Sequence, residues 1–188
     1  MMSVADQRQP EDKVWVALHK QTALIRVDGR GSFKVSTALK EFGLSALQAG
    51  CQTAVLDMSR CIGMDSTFMG VLAGLASRLK QRNGGTMVLL NLAPRTRGLV
   101  ATLGLDQVVQ AYEPGQTPDA LKGVAALSEG LSALQGGAEN RLDTTRTMIE
   151  AHENLVDLSP ENLPRFKDVL TYLREDLNRK GEGNRERS

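Results

Sequence analysis

Asp57, Asp65, Ser66 and Thr67 are the residues of this chain best placed to do chemistry. Asp57 closes an apolar run, TAVLD, and Asp65 precedes two hydroxyl residues at the start of another, STFMGVLAGLASRL. Two carboxylates near one strand end suggest general acid–base work, but no partner in the neighbouring loops completes an acid–base set. The triplet Asp65-Ser66-Thr67 is a different object. Such residues cap helices whatever else they do, and a serine there lies beside backbone N–H groups without intrahelical partners. Arg95 and Arg97, at a second helix start, can meet an anion or stay solvated.

Other chemistries lack their parts. Structural zinc takes about four Cys/His ligands. This chain has two cysteines, Cys51 and Cys61, with no CxxC, and two histidines, His19 and His152, far apart. No metal and no cofactor is expected. There is no phosphate-loop lysine motif, no G-x-G-x-x-G after a strand, no G-x-S-x-G elbow and no H-E-x-x-H. Gly29-Arg30-Gly31 is too short to cradle a phosphate. A phosphoaspartate receiver also puts an aspartate where Asp57 lies. It wants acidic residues after its first strand and a lysine after a later one, where this chain has His19, Lys20 and Asn91. The sequence reads as a non-enzyme.

The elements that must position these residues follow from periodicity. VWVAL (Val14–Leu18) and ALIRV (Ala23–Val27) form a hairpin-like antiparallel edge. A helix follows over Val35 to Gln48. Thr53–Ser59 and Thr86–Leu92 are short apolar runs, as buried strands of a parallel sheet are. Between them Asp65 caps a helix whose stripe is Phe68, Leu72, Leu75, Ala76 and Leu79, ended by Asn83-Gly84-Gly85. Pro94 opens a short helix, Val108–Tyr112 is a last strand, and Pro118-Asp119 starts a helix carried through Leu134. The fold class is α/β: a mostly parallel four- to five-stranded sheet with an antiparallel edge and packed helices. Function in such sheets collects at the carboxyl ends of strands, here Asp28–Ser32, Asp57–Asp65 and Asn91–Arg97.

Composition narrows the partners. The chain has 188 residues, 41% of them hydrophobic and 24% charged, with a formal net charge of +1. Lys and Arg are scattered until the last dozen residues, so no basic face for nucleic acid is expected. The polar N-terminus lacks the apolar core of a secretory signal, and no run approaches the ~20 apolar residues of a membrane span. A cytoplasmic location is expected.

The run Val55 to Val109 resembles the STAS domain of anti-sigma-factor antagonists. The carriers, in order, are V-L-D-M-S, the M-D-S-T helix start, the R-x-N-G-G turn into an apolar strand, and P-R-T-R…L-x-x-L-G-L-D. A weaker likeness extends from Val14 to about Leu134. The resemblance implies a non-catalytic regulator that switches partners under phosphorylation by an anti-sigma factor/serine kinase, reversed by a phosphatase. It implies Ser66 as the phosphorylated residue, with Thr67 and Ser59 as secondary acceptors, and Asp57, Asp65, Phe68 and Arg95 as partner contacts. Phe68 stands where the family usually has glycine, and only the later Gly70 is kept. The alternative is a constitutive STAS scaffold, or a subunit of a stressosome-like or lipid-transport assembly.

The resemblance stops near Gly137. Beyond it, Met148, Ile149, His152, Leu155 and Val156 share one helical face, and Leu163, Phe166, Leu170, Leu173 and Leu177 another. Ser159-Pro160 separates them as an N-cap and a first-position proline. The expected organisation is a disordered leader over 1–13, a STAS domain over 14–135, a helical hairpin over 138–180 and a disordered tail over 181–188. His152 is expected at the core edge or the surface. Two such stripes predict self-association as a homodimer, with packing on the chain's own domain as the other choice.

Overall fold

Alternation of strand and helix builds a mixed sheet with helices packed on both faces. The computed structural model describes residues 11–82, 84–125, 130–135 and 140–185. Strands β1 (Lys13–His19) and β2 (Thr22–Gly31) form the antiparallel hairpin. Then come α1 (Phe33–Gln48), β3 (Thr53–Asp57), β4 (Cys61–Met64), α2 (Ser66–Gln81), β5 (Thr86–Leu90), α3 (Pro94–Thr102) and β6 (Val109–Ala111). The chain continues with α4 (Asp119–Ala125), β7 (Ser132–Ala133), α5 (Arg141–Leu158) and α6 (Leu163–Arg185). The spatial order is β6-β5-β3-β2-β1-β7, with β4 pairing to β2 beyond this path. Pairings β2–β3, β3–β5, β5–β6 and β2–β4 are parallel; those of β1 are antiparallel.

Alternate residues of the central strands feed two cores. Ala54, Leu56, Met87 and Leu89 join Leu39, Phe68, Leu72 and Leu79 of α1 and α2 on one face. Val55, Val88, Leu90 and Leu24 face the other way, beneath Leu121 and Val124 of α4. Both faces are therefore covered, which is why β3 and β5 read as unbroken apolar runs.

The sheet has seven strands, two more than the sequence predicts. β2 outlasts its apolar stretch: its register shifts between Gly29 and Arg30, and its end pairs with β4. The helix expected from Pro118 through Leu134 ends at Ala125 among the described residues. Ser132 and Ala133 instead pair with Val16 and Trp15, covering the otherwise open edge of β1. Residues 1–10 of the expected leader, the Gly136-Gly137 connection and residues 186–188 of the expected tail lie outside the described residues. Lys13 belongs to β1, and the Asp12 carboxylate accepts the Arg30 N–H at 2.8 Å. Helix α6 runs on to Arg185, past the expected start of the tail at 181, because the two glycines there, Gly181 and Gly183, cost only ~1 kcal/mol each in a long helix.

The C-terminal helices form a hairpin that packs on the chain's own domain. Ala151 and Leu155 of α5 are fully buried and belong to the main core, and α6 covers α5 through Leu170 and Leu173. His152, Leu155, Leu170 and Leu173 of the two stripes are buried within the chain, whereas Leu163 is exposed. At the bend, the Asn162 amide donates to the carbonyls of Leu103 (2.9 Å) and Leu155 (2.8 Å), tying the hairpin to the end of α3. No described helix is long and apolar enough to cross a membrane.

Candidate functional site

Strands β2, β3 and β5 end at one edge of the sheet, and the predicted residues gather there in two groups. Asp57 closes β3 in register with Leu90 of β5. Its Oδ1 accepts from the Asn91 side chain (3.0 Å) and from the Ser59 N–H (3.0 Å). Asn91 turns the chain with φ of 58°, a left-handed value that asparagine tolerates better than most residues. Asp57 is held as the anchor of a turn. Ser59 is exposed on it.

Asp65 opens the second group and caps two helices. Oδ1 accepts from the Phe68 N–H at 2.8 Å, the N-cap bond of α2, and Oδ2 accepts from the Phe33 N–H at 2.8 Å, at the start of α1. Its own N–H donates to the Gly31 carbonyl at 2.9 Å. Beside it lies an open cleft of about 290 Å³ whose lining includes Arg30, Arg95 and Thr96. Arg95 is exposed, as are the flanking apolar residues Ile62 (59%) and Leu99 (42%).

One expected partner contact, Phe68, and one expected secondary acceptor, Thr67, are buried. Phe68 is fully buried, its ring lying over Gly31 so tightly that a Cβ there would fall 2.7 Å from the ring. It is a core residue on the stripe of α2 and presents nothing to a partner. Thr67 is 3% exposed and likewise unavailable as an acceptor. The missing Cβ of Gly31 leaves the space the ring fills.

Ser66 is the first residue of α2, half-buried, and its hydroxyl is engaged. Oγ lies 3.0 Å from Nε2 of His152, on α5. The other ring nitrogen, Nδ1, lies 2.7 Å from the Met148 carbonyl. A carbonyl only accepts, so in the neutral ring Nδ1 carries the proton and Nε2 accepts from the serine. His152 is 3% exposed and packs against Phe166 of α6, ring centroids 5.0 Å apart.

Around this contact α5 lies along α2 at very short range. A Cβ on Gly70 would sit 2.1 Å from the Ala151 carbonyl oxygen, and one on Gly74 2.3 Å from the Asn154 amide nitrogen. That amide donates to the Gly70 carbonyl at 3.2 Å. Glu150 meets Lys40 of α1 (2.7 Å) and Arg78 of α2 (3.0 Å), and Thr147 meets Thr37 (3.2 Å). Burial alone would raise the Glu150 pKa, but the hydrogen bonds and charges of Lys40 and Arg78 outweigh it and hold the carboxyl below its usual range.

Sequence reasoning missed His152 and Gly74 as parts of the site, and named Asn91 and Gly70 without their contacts. Asn91 had a signal: it follows the strand parallel to the one Asp57 ends. His152 had none beyond its apolar helical face. Burial pushes the Cys61 thiol up, leaving it a weak nucleophile. Among the described residues no group of His, Cys, Asp and Glu is arranged to hold a metal ion.

Residues 14–110 match the family model described as the Mlab STAS domain. No curated protein sequence is similar to the chain. Among solved structures, an anti-sigma factor antagonist from Mycobacterium paratuberculosis is 22% identical, covering 61% of this chain and 95% of its own, with a TM-score of 0.49. The phosphorylated form of the Bacillus cell fate determinant SpoIIAA is 21% identical, covering 59% and 98%, with a TM-score of 0.47. An RsbS variant from Moorella thermoacetica is 21% identical, covering 60% and 97%, also at 0.47.

Proposed function

Since the chain belongs to the STAS domain family, we propose that it acts as an anti-sigma-factor antagonist whose partner choice is set by phosphorylation of Ser66. The STAS family is one of non-catalytic regulatory modules, and the work of such a domain is association. The observation that carries the reading is Ser66 at the first position of α2, directly after the Asp65 cap. A phosphoryl group there adds about −1.5 to −2 charge at a helix N-terminus, whose dipole favours it, so the fold survives while an apposed surface does not. Asp57 anchors its turn, and in this reading Arg95 with the exposed Ile62 and Leu99, which line the cleft beside the Asp65 cap, supplies the contact surface. Ser59, exposed on the same edge, is the remaining secondary acceptor. The partners are an anti-sigma factor that is also a serine kinase, and a phosphatase.

A second reading is favoured by the bond between Ser66 and His152, which keeps the hydroxyl engaged. In it the chain is a constitutive scaffold, of a stressosome-like or lipid-transport assembly, and Ser66 is structural. One experiment separates the two. The chain is isolated from its native cells and analysed by mass spectrometry, and calorimetry then measures the co-isolated partner against Ser66→Ala and against protein phosphorylated at Ser66. The switch predicts phosphate on Ser66 and binding by the alanine form alone. Equal affinity for both forms sinks it, and co-isolation with membrane components unaltered by phosphatase supports the scaffold.

A further inference from the structure

We propose that the α5–α6 hairpin is an intramolecular cover for Ser66, and that a docked hairpin and a phosphoryl group on this serine exclude one another. The proposal rests on the reading of Ser66 as the switch residue. Its physical content is room. Oγ and His152 Nε2 are already at hydrogen-bond distance, 3.0 Å, so nothing fits between them. The imidazole has nowhere to go: it is 3% exposed, held by the Met148 carbonyl on its far nitrogen and backed by Phe166. Nor does α5 have slack to retreat locally. Its backbone at Ala151 lies against Gly70, the Asn154 amide is bonded across to the Gly70 carbonyl, and the same side chain lies against Gly74; the two glycines are one and two helical turns along from Ser66. Three added oxygens on the serine therefore require that α5 leave α2, and α6 leaves with it.

The same geometry governs the forward step. A kinase must bring the γ-phosphorus of a nucleoside triphosphate in line with Oγ. The Oγ–P bond forms as the bond to the β,γ-bridging oxygen breaks, the nucleoside diphosphate leaves, and the hydroxyl proton passes to a base of the kinase. With α5 docked, the serine hydroxyl points at His152, not at solvent. Modification needs the undocked state. Because the two events share one equilibrium, whatever factor docking takes from phosphorylation, a phosphate takes from docking. The hairpin is thus a cover carried on the same chain, competing with the kinase for the Ser66 hydroxyl, while Arg95, Ile62 and Leu99 stay exposed. Release exposes Ala151 and Leu155 and breaks the part-buried bonds to Lys40, Arg78 and Thr37, which water can replace in part.

Two full-length proteins test this by hydrogen exchange read by mass spectrometry. One carries phosphoserine at position 66, installed by codon expansion. The other is Gly70→Ala, which favours the α2 helix intrinsically yet puts a Cβ against the Ala151 carbonyl. In both, amides of residues 141–175 should exchange about tenfold faster or more than in the unmodified chain, while those of β3 and β5 keep their protection. Ser66→Ala, which frees space, should leave the hairpin protected. Unchanged protection of α5 in the phosphoserine protein overturns the proposal. If Gly70→Ala disturbs β3 and β5 as well, the phosphoserine protein alone decides. Release with no phosphate ever found on Ser66 in native cells would leave the cover standing and remove the switch reading instead.

Discussion

Replacing Asp65 with alanine takes the N-terminal acceptor from two helices at once. Its Oδ1 receives the Phe68 N–H and its Oδ2 the Phe33 N–H, both at 2.8 Å. The first bond is part-buried and caps α2, so its loss should cost about 1 kcal/mol, with a few tenths more for removing a negative charge from the helix N-terminus. The second is open to water, which replaces most of it, leaving about 0.5 kcal/mol. Together the loss should be about 1.5–2.5 kcal/mol. Asp65→Asn keeps one acceptor oxygen and should fall between alanine and the native residue. Urea melts followed by circular dichroism read both variants. A loss below about 0.5 kcal/mol for the alanine form would refute the double cap as a source of stability. The measurement also guards the functional reading. Asp65 precedes Ser66, so a variant that weakens partner binding reports on contact only after the stability change is known.

Leu56 is wholly buried at the centre of β3, between β2 and β5, and Leu56→Ala should destabilise the chain by roughly 2–5 kcal/mol in the same melts. Glu150→Gln should loosen the hairpin by about 0.5–1 kcal/mol at neutral pH, a small figure because the Glu150 and Arg78 side chains are each a third or more exposed. The folded Glu150 pKa lies below the unfolded one, so this contribution is complete above the unfolded value and is lost as pH falls through the folded value. The gap between wild type and Glu150→Gln should therefore close as the pH drops below about 4.3, and a constant gap would rule out the charge as its origin.

What the sequence made legible was local. The Asp65 cap, the glycine stop after α2 and the doubly buried runs of β3 and β5 are each written in a few consecutive residues, and each stands in the structure. The losses are of two kinds. β4 and β7 are four and two residues long, too short for any period to show, and exist because neighbouring strands offer open edges. Phe68 carried two readings at once, as part of a core stripe and as a partner contact. The choice between them depends on Gly31, a residue of another strand whose missing Cβ makes room for the ring.

The hairpin belongs to the second kind, and it changes what Ser66 can do. A helix-capping triplet predicts an exposed hydroxyl, because a helix start faces outward unless something covers it. The cover comes from 86 residues further along the chain. Its fit needs Gly70 and Gly74 at successive turns of α2, and a sequence reading takes each only as a weak point in a helix. Side chains at both positions would hold α5 away and leave the serine open, so the cost of two glycines in a buried helix is compensated by docking. A glycine pair, a histidine whose far nitrogen is fixed by a carbonyl, and a glutamate between two cations all serve the same contact. On the proposed reading, accessibility of Ser66 follows an equilibrium between a docked and a released hairpin.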